Sequence, residues 1–267
     1  MNRYKLIALD VDGTLITDDH RLTAKTREAV RAVHERGARI VLCTGRGAGS
    51  TLPLLEELGL DGIIITHNGG ATIESTGRRV LHSFGYPVER VMPLVRYCRE
   101  RGIHFDINTP FDIYVERLDE EIRAGYRLFL ADPVLIDDVS RFPGPVIKFC
   151  AIAEAPVAER FMEDWRDIGA MGLRMMRSGE MFVDVLHEKA SKGGALKVLA
   201  DRWGIRREEV LAIGNYYNDL EMIEYAGLGI AMANSPDEVK RAADAVTASN
   251  NDDGVSEALV RYCLAAS

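Results

Sequence analysis

The sequence predicts an α/β protein, a Rossmann-like parallel-sheet core into which an α+β module is inserted. Three observations predict it. Short apolar runs of buried-strand type alternate with helical patterns at both ends of the chain. Those runs end in carboxylates, hydroxyls, glycines or amides, at the strand ends where open α/β sheets bind ligands. The middle of the chain instead carries half-polar alternating strands in pairs, the pattern of an antiparallel sheet with helices on one side.

Bulk properties set the frame. The chain has 267 residues and a formal net charge of −8, with acids and bases interspersed, which argues against a nucleic-acid-binding surface. Cys43, Cys98, Cys150 and Cys263 are scattered, so they read as free thiols of a reducing compartment rather than a disulfide or zinc framework. The start, Met-Asn-Arg-Tyr-Lys, leads straight into the first strand, and no apolar run approaches membrane-spanning length. The expectation is a cytoplasmic protein with neither membrane nor nucleic acid as partner.

The first strand, Leu6-Ile7-Ala8-Leu9, breaks into Asp10-Val11-Asp12-Gly13. Alternation puts Asp10 and Asp12 on one side of an extended chain, where they can address one reacting group. An acidic turn after a strand is the plainer reading of the same residues. A helix follows from an N-cap at Thr23 to Arg36, with Gly37 beyond it. The second strand, Ala38 to Cys43, ends in Thr44-Gly45-Arg46-Gly47 before another helix. A hydroxyl and a glycine there suit an anion, although alone they read as a cap and a turn. The third strand, Gly62 to Thr66, ends in His67-Asn68-Gly69-Gly70, which opens a hairpin.

From 85 to 188 the character changes. A helix over Val88 to Arg101 precedes strands at His104 to Asn108 and Asp112 to Glu116. A helix over Leu118 to Leu130, a strand over Pro145 to Ile152, a helix over Val157 to Ile168 and a hairpin around Ser178-Gly179 complete the module. The alternating pattern then returns. Lys192 sits at a helix start, where a cation is unfavourable by itself, so its placement hints at function against the plainer reading of a solvated lysine. The strand Val210 to Ile213 ends in Gly214-Asn215-Tyr216-Tyr217-Asn218-Asp219. Strands near Leu228 and Val246 and helices after Pro236 and Gly254 close the chain.

Asp-Val-Asp-Gly-Thr-Leu after an apolar strand resembles the first motif of the haloacid dehalogenase superfamily, in its phosphatase branch. Thr44, Ser191-Lys192-Gly193 and Gly214-Asn215 with Asn218-Asp219 resemble its second, third and fourth motifs, in order and each at its expected place. The Asn-Gly-Gly turn and the insertion between the second and third motifs resemble the Cof-type subfamily. The resemblance implies a core of 1–84 and 189–267 and an inserted cap of 85–188 that selects the substrate.

It also implies roles. Asp10 is the nucleophile and Asp12 the general acid and base. Val11, Thr44, Gly45, Lys192 and Asn218 bind the phosphoryl group, Lys189 being the rival lysine. Asp10, Asp12 through its backbone carbonyl, Asn215 and Asp219 are the metal candidates, for Mg²⁺. The chain departs from the family at Asn215, usually an Asp, which leaves open whether 215 or 219 is the main ligand of that motif. Arg46 and Asn68 in the core, and Asp106, Tyr114, Lys148 and Asp184 near strand ends of the cap, are the substrate candidates. The implied activity is a Mg²⁺-dependent phosphatase of small phosphorylated metabolites, such as sugar phosphates or a flavin precursor. It works through an aspartyl-phosphate, in a monomer or weak homo-oligomer. A phosphomutase, or a binding protein that has lost turnover, are the alternatives.

Overall fold

A computed structural model describes residues 3–265. In chain order the first elements are β1 (Leu6–Leu9), α1 (Ala24–Glu35), β2 (Arg39–Cys43), α2 (Ala48–Glu57), β3 (Ile63–Thr66), β4 (Ala71–Glu74) and β5 (Arg79–Ser83). Next come α3 (Met92–Arg101), β6 (His104–Asn108), β7 (Ile113–Val115), α4 (Glu120–Leu128), β8 (Val134–Leu135), β9 (Lys148–Ile152), α5 (Ala155–Asp164), β10 (Leu173–Arg177) and β11 (Phe182–His187). The chain ends with α6 (Lys192–Arg202), β12 (Val210–Gly214), α7 (Leu220–Tyr225), β13 (Leu228–Ala231), α8 (Asp237–Ala242), β14 (Ala245–Val246) and α9 (Gly254–Leu259).

One sheet runs β14-β13-β12-β1-β2-β3-β4-β5. Its strands are parallel from β14 to β3, and β4 and β5 add an antiparallel edge. Every residue of β1 and β12 is buried, as their unbroken apolar runs require of strands covered on both faces. Ile7 and Leu9 pack with Val30 and Val33 of α1 and Leu259 of α9, while Leu6 and Ala8 pack with Leu196 and Leu199 of α6. The Thr23 hydroxyl accepts from the Thr26 N–H and starts α1 as its sequence implies. Parallel strands end on one edge, and β1 lies between β2 and β12. Asp10, Thr44 and Asn215 therefore emerge side by side.

The second sheet, β10-β11-β9-β6-β7-β8, is drawn wholly from the inserted stretch. Period-two alternation gives it two faces. Phe105, Ile107, Phe149, Ala151, Val183 and Val185 form an apolar core with Leu94 and Val95 of α3 and Phe161 of α5. The intervening residues, among them Asp106, Asn108, Lys148, Cys150 and Asp184, line a cavity shared with the first sheet. Tyr114 corrects the sequence reading. It pairs with Ile107, on the apolar face, and packs edge-on against Phe142 at 5.0 Å, away from the cavity. None of the described helices is long and apolar enough to cross a membrane, and the four cysteines are free and buried.

Candidate active site

Asp10 and Asp12 follow β1 directly, so the strand's burial fixes where they emerge. Lys192 is the first residue of α6, whose N-cap Ser191 accepts from the Gly194 N–H. Lys192 is 1% exposed, and its ammonium lies 2.6 Å from Asp10 Oδ1 and 2.6 Å from Asp219 Oδ1. Burial draws the Lys192 pKa down, and the two carboxylates more than reverse this, so it remains a cation. Burial raises the Asp10 carboxyl above the ordinary range; Asp219 adds to that and Lys192 opposes it. Lys192 thus offsets part of the burial that pushes the Asp10 carboxyl up to about 7. Lys189, the rival, is exposed. The backbone of Ser191 closes on Gly69, where a Cβ would meet Ser191 O at 2.1 Å, so the Asn-Gly-Gly turn seats the lysine.

Asp219 departs from its expected place among metal ligands. One oxygen takes Lys192 and the other accepts from the backbone N–H groups of Asn215 (2.8 Å) and Tyr216 (3.1 Å). It is fully buried and does not line the cavity. Its carboxylate fixes the loop after β12 and the lysine.

Asp12 is held by Arg46 in a two-pronged pair, Nε to Oδ2 at 2.8 Å and Nη2 to Oδ1 at 2.6 Å. Arg46 is 8% exposed and stands 5.4 Å from the Phe129 ring, at the end of α4 in the inserted module. His20 packs edge-on against the same ring, with Nδ1 3.9 Å from Asp12. Thr44 is buried, and its hydroxyl accepts from the Arg46 N–H. The N–H groups of Val11 and Gly45 meet no acceptor among the described residues. Gly13 takes φ +72°, and a Cβ there would lie 2.2 Å from Asn215 Nδ2. Only glycine lets the Asn215 amide reach this position.

Across the cavity the inserted sheet answers the core. Lys148 Nζ donates to the Gly45 carbonyl at 3.0 Å and pairs with Asp184 at 3.3 Å. Asn68, at φ 51°, donates to Asp184 at 2.6 Å and accepts from Asn218 Nδ2 at 2.9 Å. Asn68, a substrate candidate from the sequence, has a buried side chain that joins the two sheets. Asp106 accepts from Asn108 and from Tyr126. The sequence reading missed His20, His104, Asn108, Tyr126 and Asn234. His104 and Asn108 share Asp106's strand parity, and Asn234 follows a parallel strand end, so the rules used elsewhere find them.

The oxygens that the resemblance offers to a metal are the Asp10 carboxylate, the Asp12 backbone carbonyl and the Asn215 amide oxygen, the last of which takes a 3.3 Å hydrogen bond from Thr14. No cluster of three or more His, Cys, Asp or Glu side chains suited to a metal occurs among the described residues. A hard, oxygen-seeking divalent cation fits this donor set, with charge supplied by Asp10 and neutral oxygens beside it.

Strand-end carboxylates above a buried lysine, under an inserted sheet, define a class of α/β enzyme that works on a small charged ligand. The family model for haloacid dehalogenase-like hydrolases matches residues 7–259, and the chain belongs to that family. It is 34% identical to the putative phosphatase YxeH of Bacillus subtilis over 98% of this chain and 99% of the relative. It is 30% identical to the B. subtilis 5-amino-6-(5-phospho-D-ribitylamino)uracil phosphatase YwtE, over 94% and 96%. A haloacid dehalogenase-like hydrolase from Bacteroides thetaiotaomicron superposes with a TM-score of 0.85 at 32% identity, over 97% and 99%. The chain is a phosphatase of this superfamily, with the Cof-type arrangement.

Proposed function

We propose that this phosphatase uses Mg²⁺ and hydrolyses monoesters of small hydroxyl-bearing metabolites through an aspartyl-phosphate on Asp10. The observation that carries the reading is the buried chain Asp10–Lys192–Asp219 beneath a cavity that also holds Asp12. Mg²⁺ would be held by Asp10, the Asp12 carbonyl and Asn215, and would supply charge screening between two anions. An Asp10 oxygen attacks phosphorus as the phosphorus–leaving-oxygen bond breaks, and Asp12 gives that oxygen its proton. Water then attacks phosphorus, Asp12 takes back a proton, and the bond to Asp10 breaks to release phosphate. The Val11 and Gly45 N–H groups, Thr44, Lys192 and Asn218 balance charge on the phosphoryl oxygens. Residues 85–188 act as a cap over the core of 1–84 and 189–267 and supply the leaving-group contacts.

The test is rapid acid quench with a radiolabelled phosphate ester. Wild-type enzyme should yield label bound to Asp10, identified by peptide mass spectrometry. Asp10→Asn should yield none and lose turnover by about 10⁴-fold or more, with its fold intact. Turnover that survives this substitution near its native rate rules the covalent route out.

A further inference from the structure

We infer that the inserted module orients a phosphate-binding group of the core: Asp184 of β11 sets the Asn218 amide through Asn68. Asp184 and Asn68 are then positioning residues rather than contacts to the leaving group. This rests on the phosphatase reading above, in which Asn218 donates to a phosphoryl oxygen.

An asparagine side chain has a donating end and an accepting end of nearly equal shape, and its neighbours decide which faces which way. Asp184 is fully buried, and a carboxylate only accepts. Its Oδ2 lies 2.6 Å from Asn68 Nδ2, so the donating end of Asn68 must face the inserted sheet. That leaves Asn68 Oδ1 for the core, where it accepts from Asn218 Nδ2 at 2.9 Å. Asn218 Oδ1 is buried with no partner among the described residues, so the bond to Asn68 alone selects the orientation of the Asn218 amide. The selected orientation leaves Nδ2 one further N–H, the group that a phosphoryl oxygen needs. Reversing Asn218 sets oxygen against oxygen, and reversing Asn68 sets oxygen against carboxylate. One acid of the inserted sheet thus fixes two amides of the core.

Each member of this relay is held in place. The other Asp184 oxygen stands 3.3 Å from Lys148 Nζ, and that ammonium donates to the Gly45 carbonyl at 3.0 Å. Asn68 is fully buried and is absent from the cavity wall. Its backbone N–H donates to the Thr44 carbonyl at 2.9 Å. Its side chain abuts Gly45, where a Cβ would come 3.2 Å from both Asn68 Nδ2 and Asn68 Oδ1. Its φ of 51° is left-handed, which asparagine tolerates better than most side chains. Asn68 therefore rests on the loop that carries Thr44 and the Gly45 N–H, while its amide reaches the loop that carries Asn218. Both loops are tied to one carboxylate of the inserted module.

Inorganic phosphate is the probe, because it carries no leaving group. Its Ki is measured in competition with a generic aryl phosphate, with Mg²⁺ in excess. Asp184→Asn keeps the shape and removes a negative charge beside an anion site. Electrostatics alone makes phosphate bind more tightly to that variant. Loss of the relay lets both amides reverse and makes phosphate bind more weakly. The expected result is a Ki raised about fivefold or more. Asn218→Ala should raise Ki by about tenfold or more, and Asp184→Asn should add nothing in that background. Asn68→Gly accepts the left-handed backbone, keeps the N–H to Thr44 and cuts the relay at its middle, so it too should raise Ki. A Ki unchanged or lowered in Asp184→Asn or in Asn68→Gly, with Asn218→Ala still harmful, overturns the relay and leaves the phosphatase reading standing. A full further loss from Asp184→Asn in the Asn218→Ala background overturns it as well. An unchanged Ki in Asn218→Ala overturns the placement of Asn218 at the phosphoryl group, on which the relay rests.

Discussion

At position 215 a neutral amide stands where the family motif usually carries a carboxylate, and Asp219, the acid nearest to it in the motif, is not free to replace it. Asp219 is committed to Lys192 and to two backbone N–H groups. Asn215→Asp should therefore strengthen Mg²⁺ binding. Unit charges 4 Å apart interact by about 4 kcal/mol at an effective dielectric near 20, and a quarter of that is about fivefold in affinity. Half-maximal activity should come at about fivefold lower Mg²⁺, and a thermal-shift titration should move alike. Asp219→Asn should leave the Mg²⁺ requirement in place and lower kcat, because it strips Lys192 of one of its two partners. A sharply raised Mg²⁺ requirement in Asp219→Asn would return the ligand role to position 219. Asp10 and Lys192 were legible because acids at a strand's end and a lysine at a helix's start are locally unfavourable and need a cause. The role of Asp219 was not, because spacing puts it one turn from Asn215 without saying which way the loop aims it.

Elements decide the rest of the site. The inserted sheet was legible as paired strands, and counting parity outward from Asp106 would have separated His104 and Asn108, on the cavity side, from Tyr114, on the apolar side. Which face meets the core depends on packing between distant segments, and no local pattern encodes that. The diagonal contact between Lys148 on β9 and Asp184 on β11 is an instance. Burial lowers the Lys148 pKa, but Asp184 and Asp106 raise it above its ordinary value, so one cation balances two buried acids. Removing one partner of such a pair strands the other. Lys148→Met should cost about 3–5 kcal/mol in urea unfolding. Lys148→Met with Asp184→Leu should recover a good part of that, since fewer charges stay buried. A double variant as unstable as the sum of its parts would show that the two residues do not act as a pair.

For the whole molecule, the seam between the two sheets carries a pH liability. His67 follows β3, is 1% exposed, and pairs through Nδ1 with Thr66 Oγ1 at 3.0 Å. Burial pulls its pKa down to about 3, and the Lys148 cation from the inserted module adds to the effect. In the unfolded chain a histidine titrates near 6.5. Protonation therefore favours the unfolded chain: the stability held by neutral His67 is complete above about pH 6.5 and falls as pH drops toward 3. Between pH 7 and pH 5 that loss is about 2 kcal/mol. His67→Asn removes the titrating group and keeps a residue that tolerates the left-handed backbone, φ 51°, found there. Urea unfolding of both proteins at pH 7 and pH 5 isolates the effect, because every other titrating group cancels in the difference. The wild type should lose about 2 kcal/mol more than His67→Asn over that interval. Equal losses would mean that His67 takes up its proton in the folded protein, and that the seam opens to water well before the molecule unfolds.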